Sequence, residues 1–562
     1  MKAIYQFICA SLLIGGMASC NDMLDTKPQG QFTAEQLDES SVEGLLASAY
    51  AGLEAHFYGN NEAFAGPSTN WIFDVRSDDA YKGGGGTGME ENIHLLEVSE
   101  VTSDNVSCLN KWQNNYYAIS RVHNAMVAVE QASGIANADE IMGELKTLRA
   151  WYYFDLIRIF KRIPYFTEDD DVNTKTNDEY SREEIFSFIK QDLQEAIAVL
   201  PAQKSSAGRI TRTTAQAIMA KVCAFTNSWA EVKEYADAVI QSGQYSLYKN
   251  FGDLSKVAFN NGSESIFALQ TSTANDNAHI NWSNLLNCTY SDGNLYGTGD
   301  DFFYGSQNLV NAFRTDANGL PLLDGSFNKV NVDADYTGNV DPRLDFTVGR
   351  IGMPWRGHTY TAGWCRAYDT YGEFSNKKAW PAPEDALATW PWGANALNFM
   401  FIRYADILLL KAEALVELAA GTNAATDEGL VEARALVNQV RQRAANSIDP
   451  NYTPMDLDPF EANYQVGLYP TDWDGNLYWT KDRARDAVRF ERRLELALEG
   501  NRWFDLVRWG DNYLISTMNA YMQEEAQLRN YYSGRSVTAT EIFLPVPLAE
   551  IDNSNGLYKQ YQ

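Results

Sequence analysis

Two kinds of residue in this 562-residue chain are placed to do chemistry. Glu491, Glu495 and Glu499 recur at every fourth position, which puts three carboxylates on one side of a helix. Carboxyl pairs serve as acid and base in glycoside hydrolysis, but that chemistry needs them facing each other across a sugar, roughly 5 to 9.5 Å apart. Neighbours on one helix cannot flank a substrate that way. Arg492 and Arg502 stand one turn from Glu495 and Glu499, and Asp505 one turn from Arg508, so the spacing predicts internal ion pairs and not catalysis.

The second kind is aromatic. A sugar presents flat C–H faces rimmed by hydroxyls, so its site needs exposed aromatic planes beside carboxylates, amides or guanidiniums. Trp355-Arg356, Trp364-Cys365-Arg366 and Trp390-Pro391-Trp392 offer both kinds of group in loop-like sequence, and Trp71 is followed by Arg76, Asp78 and Asp79. Each Trp taken singly is expected in the core, where Trp usually lies. As a group, at least two are expected to line a binding surface. The candidate ligand contacts are therefore Trp71, Arg76, Asp78, Trp282, Trp355, Arg356, Trp364, Arg366, Trp390 and Trp392. Trp151, Trp229, Trp503 and Trp509 lie in helical patterns and are expected in the core.

Other motif forms fail on their surroundings. Gly66-Pro-Ser-Thr-Asn70 lacks the last Gly of a nucleophile elbow, no His-Glu-x-x-His occurs, and the five His are scattered. The string from Gly83 to Gly88 satisfies G-x-G-x-x-G but follows Asp78-Asp-Ala-Tyr-Lys82 and not a strand, so a flexible loop is expected. Asp169, Asp171 and Asn173 have part of a calcium-loop spacing without its Gly and read as a solvated acidic loop. After Cys9 and Cys20, only Cys108, Cys223, Cys288 and Cys365 remain, without metal-binding spacing. No metal, no cofactor and no enzymatic activity are expected. Cys223 reads as a core residue, whereas Cys288 and Cys365 lie in loop-like sequence and could pair in an oxidising compartment.

The elements that must position these residues begin after a secretory signal. Lys2 precedes an apolar run from Ile4 to Met17, then Ala18 and Ser19 lead into Cys20. The run is shorter than the about 20 residues a membrane span needs. Met-Ala-Ser-Cys20 resembles a bacterial lipobox, although Met17 replaces the usual Leu, and implies acyl chains on Cys20 that anchor residues 20–562 to a membrane. An ordinary secreted protein with a chance Cys is the alternative. With 74 acidic against 45 basic residues, the net charge of −29 argues against nucleic acid or anionic lipid and favours a neutral or cationic ligand.

No linker divides the chain. Ser181-Arg-Glu-Glu184 is a capping box before an apolar face of Phe186, Ile189, Leu193, Ala196, Ile197 and Leu200, and Pro201 stops the helix. A second helix precedes Pro164, and Thr213 with Gln216 opens a third. Ala405, Leu408, Ala412, Leu415 and Ala419 form a stripe answered by Leu430, Ala433, Val437, Val440 and Ala444. Recurrent Ala allows close helix pairs like those of tetratricopeptide repeats, although no clean 34-residue period can be read. Helical scaffold is expected mainly over about 40–60, 110–250 and 400–510, with loop-rich ligand-binding sequence over about 61–105 and 275–399. From Asn275 to Phe399 the helical period disappears, and six of the fourteen Trp occur there, the mark of a segment that carries function.

Five stretches in order resemble the SusD/RagB outer-membrane lipoproteins of Bacteroidetes. They are Gly143 to Arg158 with its Arg-Ala-Trp-Tyr-Tyr-Phe core, Gly208-Arg-Ile-Thr-Arg-Thr-Thr-Ala-Gln-Ala217, Arg403-Tyr-Ala-Asp-Ile-Leu-Leu-Leu-Lys-Ala-Glu-Ala414, Phe490 to Gly510, and Leu544-Pro-Val-Pro-Leu-Ala-Glu-Ile551. The resemblance implies a predominantly all-α fold in which four tetratricopeptide-like helix pairs support an irregular ligand-binding region. It implies a surface-exposed protein that captures oligo- or polysaccharide and delivers it to a SusC-like TonB-dependent transporter. Family binding residues vary with ligand, so none is carried over, and fructan is one guess at the glycan. Two other readings stay open: a RagB-like component that binds peptide or protein in a helical groove, and a glycoside hydrolase on a helical toroid.

Overall fold

The computed structural model describes residues 38–54, 66–204, 206–274, 279–293, 295–448, 462–473 and 476–561. The expected signal and Cys20 lie outside the described residues. Among those described, ten helices have thirteen residues or more: α1 Glu39–Ala51, α2 Val106–Gln131, α3 Ala138–Ile159, α4 Arg182–Val199, α5 Arg212–Phe225, α6 Trp229–Gln241, α7 Tyr404–Leu418, α8 Glu428–Asn446, α9 Lys481–Glu495 and α10 Asp511–Glu525. None is long and apolar enough to cross a membrane.

Local chemistry sets the ends of these helices. Asn105 caps α2 by accepting from the Ser107 and Cys108 amides, and Asp427 caps α8 through Gly429 and Leu430. Ser181 and Glu184 form the reciprocal box expected at the start of α4. α5 begins two residues before the position read from sequence. Thr211 exchanges the capping bonds with Thr214, while the Thr213 hydroxyl pairs at 3.0 Å with the hydroxyl of Tyr245. Several polar side chains could cap there, and the tertiary partner of Thr213 removes it from the choice.

Helices α1 to α8 pack each against the next, as four pairs in one stack, and α9 lies across α7 and α8. The Ala and Leu stripes of α7 and α8 are buried against each other. α6 ends at Gln241 and α7 starts at Tyr404, yet the two pack directly. The intervening chain is therefore an insertion that leaves the stack and returns to it. Two antiparallel pairs tie it down: β2 (Ser265–Leu269) to β4 (Phe399–Arg403), and β1 (Ala80–Gly83) to β3 (Phe302–Gly305). Buried side chains from stack and insertion form one continuous cluster. Trp151 and Trp503 are within it, and Trp229 and Trp509 are half-buried at its edge.

The glutamates of α9 are paired as expected, but with other partners. Glu495 accepts from Arg403 at 2.5 Å, from Arg343 at 2.9 Å and from Arg443; Glu491 accepts from Arg441 at 2.9 Å; Glu499, past the helix end, takes Arg403 and Lys378. Arg492 turns to Asp406 and Asp505, and Arg502 to Asp78. Only Asp505–Arg508 is the neighbour pair the spacing suggests. Burial raises the Glu495 carboxyl, but Arg443, Arg403, Arg343 and Lys378 together outweigh it and hold the group well below the usual carboxylate range. These charges fasten the returning insertion to α8 and α9.

Candidate ligand-binding surface

Trp390 and Trp392 stand on a closed turn. The Leu387 amide donates to Ala394 O at 2.9 Å, Gly393 donates to Leu387 O at 2.7 Å, and Ala386 bridges Asn395. Beneath the turn, Leu387 and Ala394 pack on Ile280 and Trp282 in a small cluster separate from the main core. Gly297, at φ +90°, is pressed against Trp392; a Cβ there would lie 2.3 Å from Cδ1 of the indole. Gly393, at φ +71°, is closed in the same way by Trp380. The two indoles meet edge to face, centroids 5.2 Å apart and planes at 84°. Trp390 is 49% exposed and Trp392 38%, the two Trp among the exposed large apolar residues.

The loop that supplies Gly297 also presents Tyr290, 37% exposed, with the Arg366 guanidinium 5.2 Å from its ring centre. Asp292 shapes this loop by accepting from the Thr289 hydroxyl at 2.8 Å and the Leu295 and Tyr296 amides. Arg366 is paired to Asp300, and its Nε lies 3.3 Å from where a Cβ on Gly85 would be, so the Gly-rich loop runs along it. The next residue, Asp301, is buried. It accepts from the Ser375 hydroxyl at 2.8 Å, the Arg366 amide at 3.0 Å and the Tyr304 hydroxyl. Burial pushes its carboxyl up to about 7.

The ten sequence candidates divide sharply. Trp390, Trp392 and Arg366 reach the surface. Trp282 lies beneath their turn. The other six are buried, each for a visible reason. Trp71 donates to Ser283 O at 3.0 Å and stacks on Phe303; Trp355 stacks on Tyr360, and Trp364 abuts both edge-on. Arg356 donates to the Lys377 and Trp380 carbonyls. Asp78 takes both guanidinium bonds of Arg502 at 2.8 and 2.9 Å, and Arg76 lies over Trp503. Tyr290, Asp300 and exposed Tyr368 are not among the sequence candidates, which centre on Trp and the charged residues that neighbour it in the chain. The signal available was a Tyr set among Thr, Ser, Asp and Gly at 289–293.

Two further expectations are corrected. The Gly-rich string does follow a strand, β1, and Lys82 from that strand donates into the loop, to Gly86 O at 2.8 Å and to Met89 O. Its carbonyls enclose a lysine, the reverse of a phosphate cradle. Cys288 and Cys365 are free and buried; the first thiol faces Tyr296 O and the second the Tyr360 hydroxyl at 3.1 Å. Among the described residues no group of three or more His, Cys, Asp or Glu is arranged to hold a metal.

The SusD family model matches residues 263–562, and one described as "Starch-binding associating with outer membrane" matches residues 22–226. The chain is similar to SusD-like protein P38 of Formosa agariphila, 24% identical over 520 residues that cover 88% of this chain and 89% of that protein. It is also similar to the solved structure of a laminarin binding SusD-like protein, with TM-score 0.65, 21% identity, and coverage of 93% of this chain and 99% of the other. Surface glycan-binding protein A of Bacteroides thetaiotaomicron, solved in complex with laminarihexaose, gives TM-score 0.66 at 19% identity over 93% and 99% of the two chains. At these identities the likeness between structures is one of fold.

Proposed function

The chain belongs to the SusD family, and on that premise we propose that it is a surface-exposed lipoprotein of the outer membrane, anchored through Cys20. It captures oligo- or polysaccharide and delivers it to a SusC-like TonB-dependent transporter. One observation carries the glycan reading: in a protein that buries most of its Trp, a braced turn holds two indoles outward at nearly a right angle. Indole faces take the C–H faces of sugar rings, and planes at 84° suit a chain that curves between them. Arg366, Asp300 and Tyr290 supply hydroxyl partners.

The surface binds without cleaving. Hydrolysis needs two accessible carboxyl groups across the sugar. Asp300 is engaged by Arg366, and Asp301 is buried beneath with its oxygens already accepting three hydrogen bonds.

Calorimetric titration against laminarin, starch, levan and inulin tests the proposal. A structural neighbour named for laminarin and a matching family model described as starch-binding put these glucans ahead of fructans. Trp390→Ala and Trp392→Ala are each expected to cost about 2 kcal/mol, roughly thirtyfold in Kd. Unchanged affinity in both would overturn the assignment of the surface, and binding of peptides with no glycan bound would favour the RagB-like reading.

A further inference from the structure

Arg76 has no use in the surface just described, and its surroundings are unusual for a buried cation. It is 1% exposed, lies 4.1 Å over the Trp503 ring, and donates through Nη2 to the backbone carbonyl of Glu541. Among the described residues no carboxylate pairs with it, and its Nε and Nη1 have no hydrogen-bond partner. Every other fully buried Arg of comparable size, Arg343, Arg403, Arg441 and Arg492, has at least one carboxylate. Leaving a buried charge uncompensated is costly, and such groups cluster where a ligand supplies the counter-charge.

Arg76 lines a cleft of about 740 Å³, within the range of roughly 300–1,000 Å³ usual for small-molecule sites. The rim carries hydroxyls from Ser99, Thr102, Ser103 and Thr540, with Leu95 and Phe543 as apolar walls. Ser99 adds a second observation. Its Oγ is buried without a partner, and its backbone is held at φ +57°, a conformation that non-glycine residues adopt at a cost. The two acidic side chains on the rim are occupied elsewhere: Glu100 by Arg535, and Glu541 by the Thr538 amide at 2.7 Å and the hydroxyls of Thr538 and Thr540. Burial lowers the Arg76 guanidinium to about 10, which leaves it charged at neutral pH.

We propose that this cleft binds a carboxylate-bearing sugar of the uronic acid class, its carboxylate set against the Arg76 guanidinium, which no carboxylate among the described residues engages, and its hydroxyls on the serine and threonine rim. A carboxylate supplies the counter-charge and charge-assisted acceptor that this buried guanidinium lacks, and a neutral sugar does not. With a net charge of −29 the protein repels anions at long range, so only a local, preorganised cation can hold one. The site shares no residue with the Trp390 surface and does not depend on that surface binding glycan.

Titration of the whole mature protein with sodium glucuronate, glucose, methyl glucuronate ester and sodium acetate tests it. Glucuronate is expected to bind at least tenfold more tightly than glucose or the ester, and Arg76→Gln to abolish that preference while sparing neutral glycans. Should Arg76→Gln not fold, Thr540→Trp, which obstructs the exposed rim, is expected to weaken glucuronate at least tenfold. Absence of glucuronate binding, or equal binding in a folded Arg76→Gln, overturns the proposal. Acetate binding as tightly as glucuronate overturns the sugar assignment.

Discussion

The junction of α7, α8 and α9 and the Asp301 region of the insertion between α6 and α7 bury acidic groups by opposite means. At that junction, Glu495 and Asp406 are surrounded by cations. Burial raises both carboxyls, but Arg443, Arg403 and Arg343 around Glu495, and Lys221 and Arg492 around Asp406, hold them well below the ordinary range. In the insertion, Asp301 is buried against the Tyr304 and Ser375 hydroxyls and Glu373 is buried with Arg350 acting on it, and burial outweighs these and pushes the two carboxyls up to about 7 and about 6. The junction therefore uses long-range ion pairs to fix where separate elements meet. The insertion has buried ion pairs of its own, Arg343 with Asp341 and Arg350 with Asp345, but around Asp301 it relies on neutral hydrogen bonds, and it turns two indoles outward where a braced turn reaches the rim.

The largest effect expected from that contrast is on stability. Glu495→Gln leaves three guanidiniums short of a partner and should cost about 3–5 kcal/mol in chemical denaturation. Asp300→Asn, which breaks a partly exposed pair in the insertion, should cost no more than about 1 kcal/mol. Similar losses from the two would erase the distinction.

The next effect is on pH dependence. Asp301 and Glu373 titrate above their unfolded values, so their contribution is fully present below the unfolded carboxylate range near 4 and is lost as pH rises through about 6 to 7. Glu495 and Asp406 have the opposite sign, and their contribution disappears only as pH falls below that range. Moving from pH 8 to pH 5 should stabilise the Asp301 region of the insertion relative to the α7–α9 junction by on the order of 2 kcal/mol. Hydrogen exchange corrected for intrinsic rates reads this directly, and equal change in both regions would count against it.

A smaller and more local effect is expected at Gly297. Gly297→Ala places a methyl against Trp392 at a positive φ, costing about 1–2 kcal/mol within the turn. Glycan affinity should fall severalfold while exchange in α1 to α8 is unchanged. Unaltered affinity would mean that the pose of Trp392 does not matter for binding.

The same division governs how much could be read from sequence. The capping box at Ser181 and the stripes of α7 and α8 are local or periodic signals, and the elements they mark are present. The charged partners of α9 were out of reach, because Arg343, Arg403 and Arg443 come from three separate elements. In the insertion, loss of helical period marks irregular backbone but carries no information on depth. Trp355 and Trp364 lie in such sequence and are nonetheless enclosed around Tyr360, whereas Trp390 and Trp392 in similar sequence are not. What separates the two pairs is tertiary packing, since Tyr360 covers the first pair and the second stands on a turn above Ile280 and Trp282, and such contacts between distant residues leave no local mark.

Oxidative footprinting read by mass spectrometry, with and without a saturating glycan from the titration panel, tests the central claim most directly. Protection is predicted at Trp390, Trp392 and Tyr290, with the exposed side chains of α1 to α8 unaffected. Protection confined to the helical stack, with both indoles still freely oxidised, would contradict the account.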